Sequence, residues 1–334
     1  MDESFFDILS EGTPNDIQKA IEAGVNVNEP DFIGLTPLMY AVRNNQNTEV
    51  VTALIMAGAN INDRDSSGVT SLMRAAGNNQ NPEVVTALIK AGANFKNRDL
   101  IGWTPLMYAA RDNQNPEVII SLITAGANVN DQDDIGGTPL MYAAGNNQNP
   151  EVVMALINAG SNINYRNSNE ETPLMRATGN NQNTEVVTTL IKAGASVNDQ
   201  DAIGETPLIY AARYNQNPEM VTTLVNAGAN VDDRDFFECT ALMRAASENQ
   251  NPRVVMALIK LGANVNDCDS DGCSVLIKAA SENQNPEVIT ILLNSGADSK
   301  LKDNEGKTAF DYAGDNENIK GTNAYWELND ARYK

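Results

Sequence analysis

A unit of 34 residues recurs along almost the entire chain. In the copy Gly102–Ile135 it reads GWTPLMYAARDNQNPEVIISLITAGANVNDQDDI. The threonine of its TPL group returns at Thr36, Thr70, Thr104, Thr138, Thr172, Thr206, Thr240 and Thr308, with Ser274 in the remaining copy. A fixed period of this size restricts the chain to a stack of like units, each contacting its neighbours. The 334 residues therefore need no division into separate cores.

One copy encodes a pair of helices. Thr104 suits an N-cap and Pro105 a first helical position, where no amide partner is needed. Leu106, Ala109 and Ala110 then share one helical face. A polar turn, Asp112-Asn113-Gln114-Asn115, leads to a second helix capped by Asn115. Pro116 begins that helix and Glu117 complements its dipole. Val118, Ile119, Leu122 and Ile123 give it an apolar face, and Gly126 ends it. Asn128 to Gly136 reads as an extended finger or hairpin. A single pair of this kind cannot bury both apolar faces, whereas stacking gives each face a partner.

The pattern G-x-T-P-L-x-x-A-A, followed by E-V-V-x-x-L-I-x-A-G-A-N-V-N-x-x-D, resembles the ankyrin repeat. The resemblance implies an all-α fold, a curved α-solenoid of stacked helix–turn–helix repeats with short hairpin or finger loops. It covers nearly the whole chain as a single repeat domain, 1–334. An N-terminal cap (1–33) precedes eight full copies (34–305), and a C-terminal cap (306–334) follows. In the first cap Phe5, Phe6, Ile8 and Leu9 form one helix face and Asp16 to Glu22 the second helix. In the last, Ile319 to Ala331 is expected as a divergent helix. Two features depart from the family. The period exceeds the usual value of about 33, with the extra residue in the inter-helix turn. The histidine after TPL is replaced by Met39, Met73, Met107, Met141, Met175, Met243, Ile209 and Ile277, which fill apolar space.

Composition removes several functions. The chain carries 44 acidic and 23 basic residues, a net charge of −21. That argues against nucleic acid and anionic membrane, which require a basic surface. With no histidine, the common nucleophilic triads, His-based zinc sites and the most frequent general base are missing. No catalytic residue, metal site or cofactor is expected. Gly306-Lys307-Thr308 imitates a phosphate loop but lacks its first glycine, since residue 301 is leucine. Three cysteines, Cys239, Cys268 and Cys273, do not make a disulfide framework and fit a reducing compartment. Cys268 and Cys273 lie close enough in sequence to pair under oxidation. No apolar run reaches membrane length, and residues 1–12 are too acidic for a secretory signal. The expected location is cytoplasmic, or secreted or periplasmic if a leader has been removed.

Comparing copies separates scaffold from specificity. Asn-Gln-Asn recurs in every inter-helix turn and is read as an amide ladder that satisfies turn backbone. The finger aspartates from Asp65 to Asp303, with Asn167 in one copy, are read as Asx-type turns rather than calcium ligands. Finger positions vary. Phe32 and Ile33, Leu100, Ile101 and Trp103, and Phe236 and Phe237 are large apolar residues where exposure is expected, which points to a contact surface for another protein. The alternative is packing against neighbouring fingers. A second row lies on the first helix, which the resemblance puts on the concave side. It runs Tyr40, Arg74, Tyr108, Tyr142, Arg176, Tyr210, Arg244, Lys278 and Tyr312, flanked by Arg111, Arg213 and Tyr214. These residues either stack on one another through cation–π contacts or line a groove for a partner, including a small anionic ligand or peptide. The expected function is a non-catalytic protein-binding scaffold of unidentified partner.

Overall fold

The computed structural model describes residues 3–333, excepting the side chains of Glu3, Ser4 and Phe6. The part of the apolar face expected from Phe6 thus lies outside the described residues. The fold is all-α, with twenty short helices among the described residues and no sheet. The fingers carry only isolated antiparallel bridges, at Arg64–Thr70, Arg234–Thr240 and Cys268–Ser274. The chain groups into two compact units, divided in sequence between Ile163 and Asn164. Within each unit, first helices pack on first helices and second on second, copy after copy.

The local rules act as the residue types require. In the copy 102–135 the helices span Pro105–Asp112 and Pro116–Thr124. The Thr104 hydroxyl accepts from the Met107 amide at 3.4 Å and Asn115 Oδ1 from the Glu117 amide at 3.0 Å. Leu106, Met107, Ala109 and Ala110 are buried on the first helix, and Val118, Ile119 and Leu122 on the second. Where the family places histidine, Met107 is buried and its sulfur accepts weakly from the Thr104 amide at 3.4 Å. In the C-terminal cap the last helix spans Asn323–Ala331, later than expected. Gly321 turns the chain at φ +76° and Thr322 caps the new start, its hydroxyl accepting from the Tyr325 amide. Ile319 is buried in the preceding turn.

What joins one copy to the next is chiefly the first asparagine of the Asn-Gln-Asn turn. Asn113 is fully buried. Its Nδ2 donates to the carbonyls of Ala76 and Asn79 in the preceding copy, both at 2.8 Å, while Oδ1 accepts from its own Asn115 amide at 2.9 Å. Ala76 lies in the last turn of the helix Ser71–Asn78, where carbonyls lack an intrahelical partner. The asparagine therefore caps the neighbour's helix and shapes its own turn with one side chain. Asn79 and Asn147 repeat these contacts in the first unit, and Asn215, Asn249 and Asn283 in the second. The second asparagine adds an outer rung, with Asn115 Nδ2 donating to Gln80 O at 2.7 Å. The ladder expected from the sequence is thus formed by the asparagines, and Gln114 points to solvent.

Asn113→Ala should lower stability by about 1–3 kcal/mol, because two buried carbonyls and one amide lose their partner. Gln114→Ala should stay within about 0.5 kcal/mol of wild type. Urea unfolding followed by circular dichroism checks both, and equal effects would remove the asparagine from its linking role.

Candidate functional site

The finger is built around its aspartate. In the copy led by Asp99, the Asp99 amide donates to the carbonyl of Trp103 at 3.1 Å. Its Oδ1 accepts from the amides of Ile101 and Trp103 at 3.0 and 2.9 Å. Its Oδ2 accepts from the Tyr108 hydroxyl at 2.6 Å. A similar pattern closes the other fingers, and where the finger carries an aspartate the helix residue nine positions on supplies the last donor. Tyr40 donates to Asp31, Tyr142 to Asp133, Tyr210 to Asp201 and Tyr312 to Asp303. Arg74, Arg244 and Lys278 reach Asp65, Asp235 and Asp269 as ion pairs. Where the finger carries Asn167, Arg176 pairs with Glu171 at 2.9 Å and Asn167 donates to the same carboxylate. Burial and the bond to Asp99 push the Tyr108 phenol well up, so it stays a donor at all physiological pH. Burial raises Asp31, but the Leu35 amide, the Tyr40 hydroxyl and the Ile33 amide outweigh it and hold that carboxyl below its ordinary value.

This arrangement does not support the alternative of a groove for a small anionic ligand. The arginines of the row are already engaged by carboxylates. Arg111 makes a bidentate pair with Asp112 at 2.9 and 2.8 Å. Arg213 pairs with Glu205 at 2.8 Å and Glu248 at 2.6 Å. Arg244 holds Asp235 at 2.6 Å and approaches Glu205 and Glu248 at 3.8 and 3.5 Å. In that network three carboxylates face two guanidinium groups, so the positive charge is already matched. The expected cation–π contacts occur at the flanking arginines, with Arg111 4.5 Å from the Trp103 ring and Arg213 4.9 Å from that of Tyr214.

Trp103 also differs from expectation. It is 7% exposed, not a fingertip. Its ring lies 4.3 Å from that of Tyr142 and 5.3 Å from that of Tyr108, and Nε1 donates to Asp133 Oδ2 at 3.0 Å. The residue before the capping threonine closes the finger through its backbone, so its side chain turns in toward the first helix. Leu35, Val69, Glu205 and Cys239 occupy equivalent buried positions.

The remaining apolar tips are in the open. In the first unit Phe32, Ile33, Leu100 and Ile101 are exposed, Leu100 to 72%. Successive tips are tied by backbone bonds, Ser66 N to Ile33 O and Leu100 N to Ser67 O, both 3.2 Å. In the second unit Phe236 and Phe237 are 69% and 56% exposed, and the Phe236 amide donates to Ile203 O at 3.0 Å. Ile203, also exposed, extends this patch. Gly204 permits the approach: at φ +83°, a Cβ there would meet the Phe236 amide nitrogen at 2.8 Å. Beside Phe237 is a recess of about 180 Å³ lined by Cys239, Arg244, Asp269, Ser270, Asp271 and Lys278. Tyr214 is half exposed, with its ring 5.8 Å from that of Tyr210.

A family model of ankyrin repeats matches residues 7–99, 72–167, 106–201, 140–235 and 242–323. The chain belongs to the ankyrin repeat family. Among solved structures, the human ASB11 ankyrin repeat domain is similar to this ankyrin chain at 25% identity and a TM-score of 0.60. The match covers 69% of this chain and 98% of that one. No curated protein matches the chain.

Sequence reasoning did not single out Glu205 or Glu248, which share Arg213 between them. The signal for Glu205 was present: a carboxylate stands where other copies have Leu35, Val69 or Trp103, in the one copy whose helix carries Arg213 beside a neighbour's Arg244.

Trp103→Ala should lower stability by about 3–5 kcal/mol in urea unfolding, as expected for a buried ring and not for a tip. A loss below about 1 kcal/mol would return Trp103 to the surface set. For Glu205, burial pushes the carboxyl above its ordinary value against the pull of Arg213 and Arg244. A folded value above the unfolded one means stability present below about pH 4.3 and lost as pH rises through the folded value. Unfolding midpoints of wild type and Glu205→Gln should therefore diverge between about pH 4 and pH 7, wild type falling behind as pH rises. Parallel curves would show that the two arginines compensate burial in full.

Proposed function

We propose that this chain is a non-catalytic scaffold that holds another protein against its apolar fingertips, with Phe236 and Phe237 as the central anchors. Ankyrin repeats are in general protein–protein interaction modules, which supports the class of function. The observation that carries the choice of surface is the exposure of two adjacent phenylalanines beside Ile203 on neighbouring, backbone-linked fingers. They are not consumed by packing between fingers. Each finger is closed by its aspartate and each tip is tied to the next. The tips are therefore presented in a fixed arrangement, which reduces the ordering cost of association. Leu100 and Ile101, with Phe32 and Ile33, offer a similar surface in the first unit. Tyr108, Tyr142, Arg176, Tyr210, Arg213, Tyr214 and Arg244 would contribute mainly by holding fingers in place, with their outer edges available to the partner. Three unpaired thiols support a reducing, cytoplasmic setting. No helix among the described residues is long and apolar enough to cross a membrane.

The test is affinity capture from an extract of the source cells, with the full chain as bait. Phe236→Ala combined with Phe237→Ala should weaken retention of a captured protein about 30-fold, the loss of roughly 2 kcal/mol typical of an anchor pair. Its melting temperature should stay close to wild type, because neither ring is buried. Undiminished retention would exclude these tips as the contact surface.

A further inference from the structure

The second helices hold an independent feature. Between Pro218–Asn226 and Pro252–Lys260 lies a surface groove of about 520 Å³, lined by Pro218, Thr222, Met256, Ala257 and Leu261 and rimmed by Glu219, Arg253 and Lys260. Five of these residues belong to one copy, 238–271, and two of the five break the repeat there. Every other full copy begins its second helix with glutamate at the second position, from Glu49 to Glu287, and this one has Arg253. Every other full copy ends that helix in alanine or serine, from Ala57 to Ser295, and this one has Leu261. Met256 is exposed beside them.

Neither substitution serves the helix. A glutamate in the first turn complements the macrodipole and an arginine opposes it. Leu261 is only part buried, so its extra carbons are not taken up by the core. Neither Arg253 nor Lys260 forms an ion pair with a described residue, in contrast to Arg213, Arg234 and Arg244 of the same unit. Two unpaired cations thus border an apolar groove in a chain of net charge −21. Such a local reversal favours a ligand that the rest of the surface repels.

We infer that this groove binds a segment of a partner protein that presents a large apolar side chain next to carboxylates. The apolar group lies over Met256, Ala257 and Leu261, and the carboxylates meet Arg253 and Lys260. The site is on the second helices rather than the fingertips, and so does not depend on the phenylalanine surface.

The repeat itself supplies variants that will fold: Arg253→Glu and Leu261→Ala restore the residues used by the other copies. The probe is a short fluorescein-labelled peptide of leucine, alanine and glutamate, with a matched peptide carrying lysine for glutamate, read by anisotropy against the full chain. The glutamate peptide should bind wild type and lose about tenfold or more in affinity to the double variant. The lysine peptide should not bind. Phe236→Ala with Phe237→Ala should leave the affinity unchanged, which separates this site from the fingertip surface. No binding to wild type, equal binding to the double variant, or equal binding of the lysine peptide would each overturn the proposal. So would full displacement by decanoate at the concentration of peptide, since the groove would then be a site for small amphiphiles.

Discussion

The buried asparagine of the inter-helix turn is the interaction on which the stack depends. A helix end leaves carbonyls without partners, and in a repeat protein those ends lie against the next copy, out of reach of water. The side chain that meets them must donate outward to the neighbour and accept inward from its own turn. An asparagine amide does both; an aspartate has no proton to give and a serine is too short to reach two carbonyls. Asn113 touches Ala76 and Asn79 and, through Asn115, its own turn. Stability therefore passes between neighbours, as nearest-neighbour coupling requires.

A second constraint governs the fingers. One carboxylate organises each loop, with Oδ1 on two backbone amides and Oδ2 on a tyrosine, arginine or lysine of the following helix. The row of tyrosines and arginines is explained by this task. In sequence it looks like a lined groove because the residues are large, polar and periodic. In space each but Arg176 is directed to an aspartate nine positions back. The change from Asp to Asn167 is matched by a change of partner, Arg176 turning to Glu171. Such compensation is what a structural role predicts.

The proposed recognition surfaces use positions that the scaffold does not. The fingertips are free because the finger closes behind them. Phe236 and Phe237 stay open where Trp103, at first sight the better anchor, is absorbed between Tyr108 and Tyr142. The same logic singles out Arg253 and Leu261, which stand where the seven other full copies have glutamate, and alanine or serine, respectively. In a repeat protein an exception is measured against the chain's own rule, and an exception that weakens the helix has to be explained outside it.

The helices, caps, turns and stacking order were legible in the amino-acid sequence, because they follow from short-range chemistry repeated many times: Thr-Pro at a helix start, Asn-Gln-Asn at the turn, Gly past the helix end. The exposed tips at Phe32, Leu100 and Phe236 were legible for the same reason. What the tertiary structure alone decided was the direction of individual side chains. Trp103 and Glu205 sit one residue before a helix cap, and whether such a residue faces water or the neighbouring helix depends on how the finger closes over it. The pairing of Arg213 with Glu205 and Glu248 spans separate copies, and the groove beside Met256 exists only between two helices in contact. Local sequence sets which groups are available; the distance between copies determines which of them are neutralised by one another and which remain open to a partner.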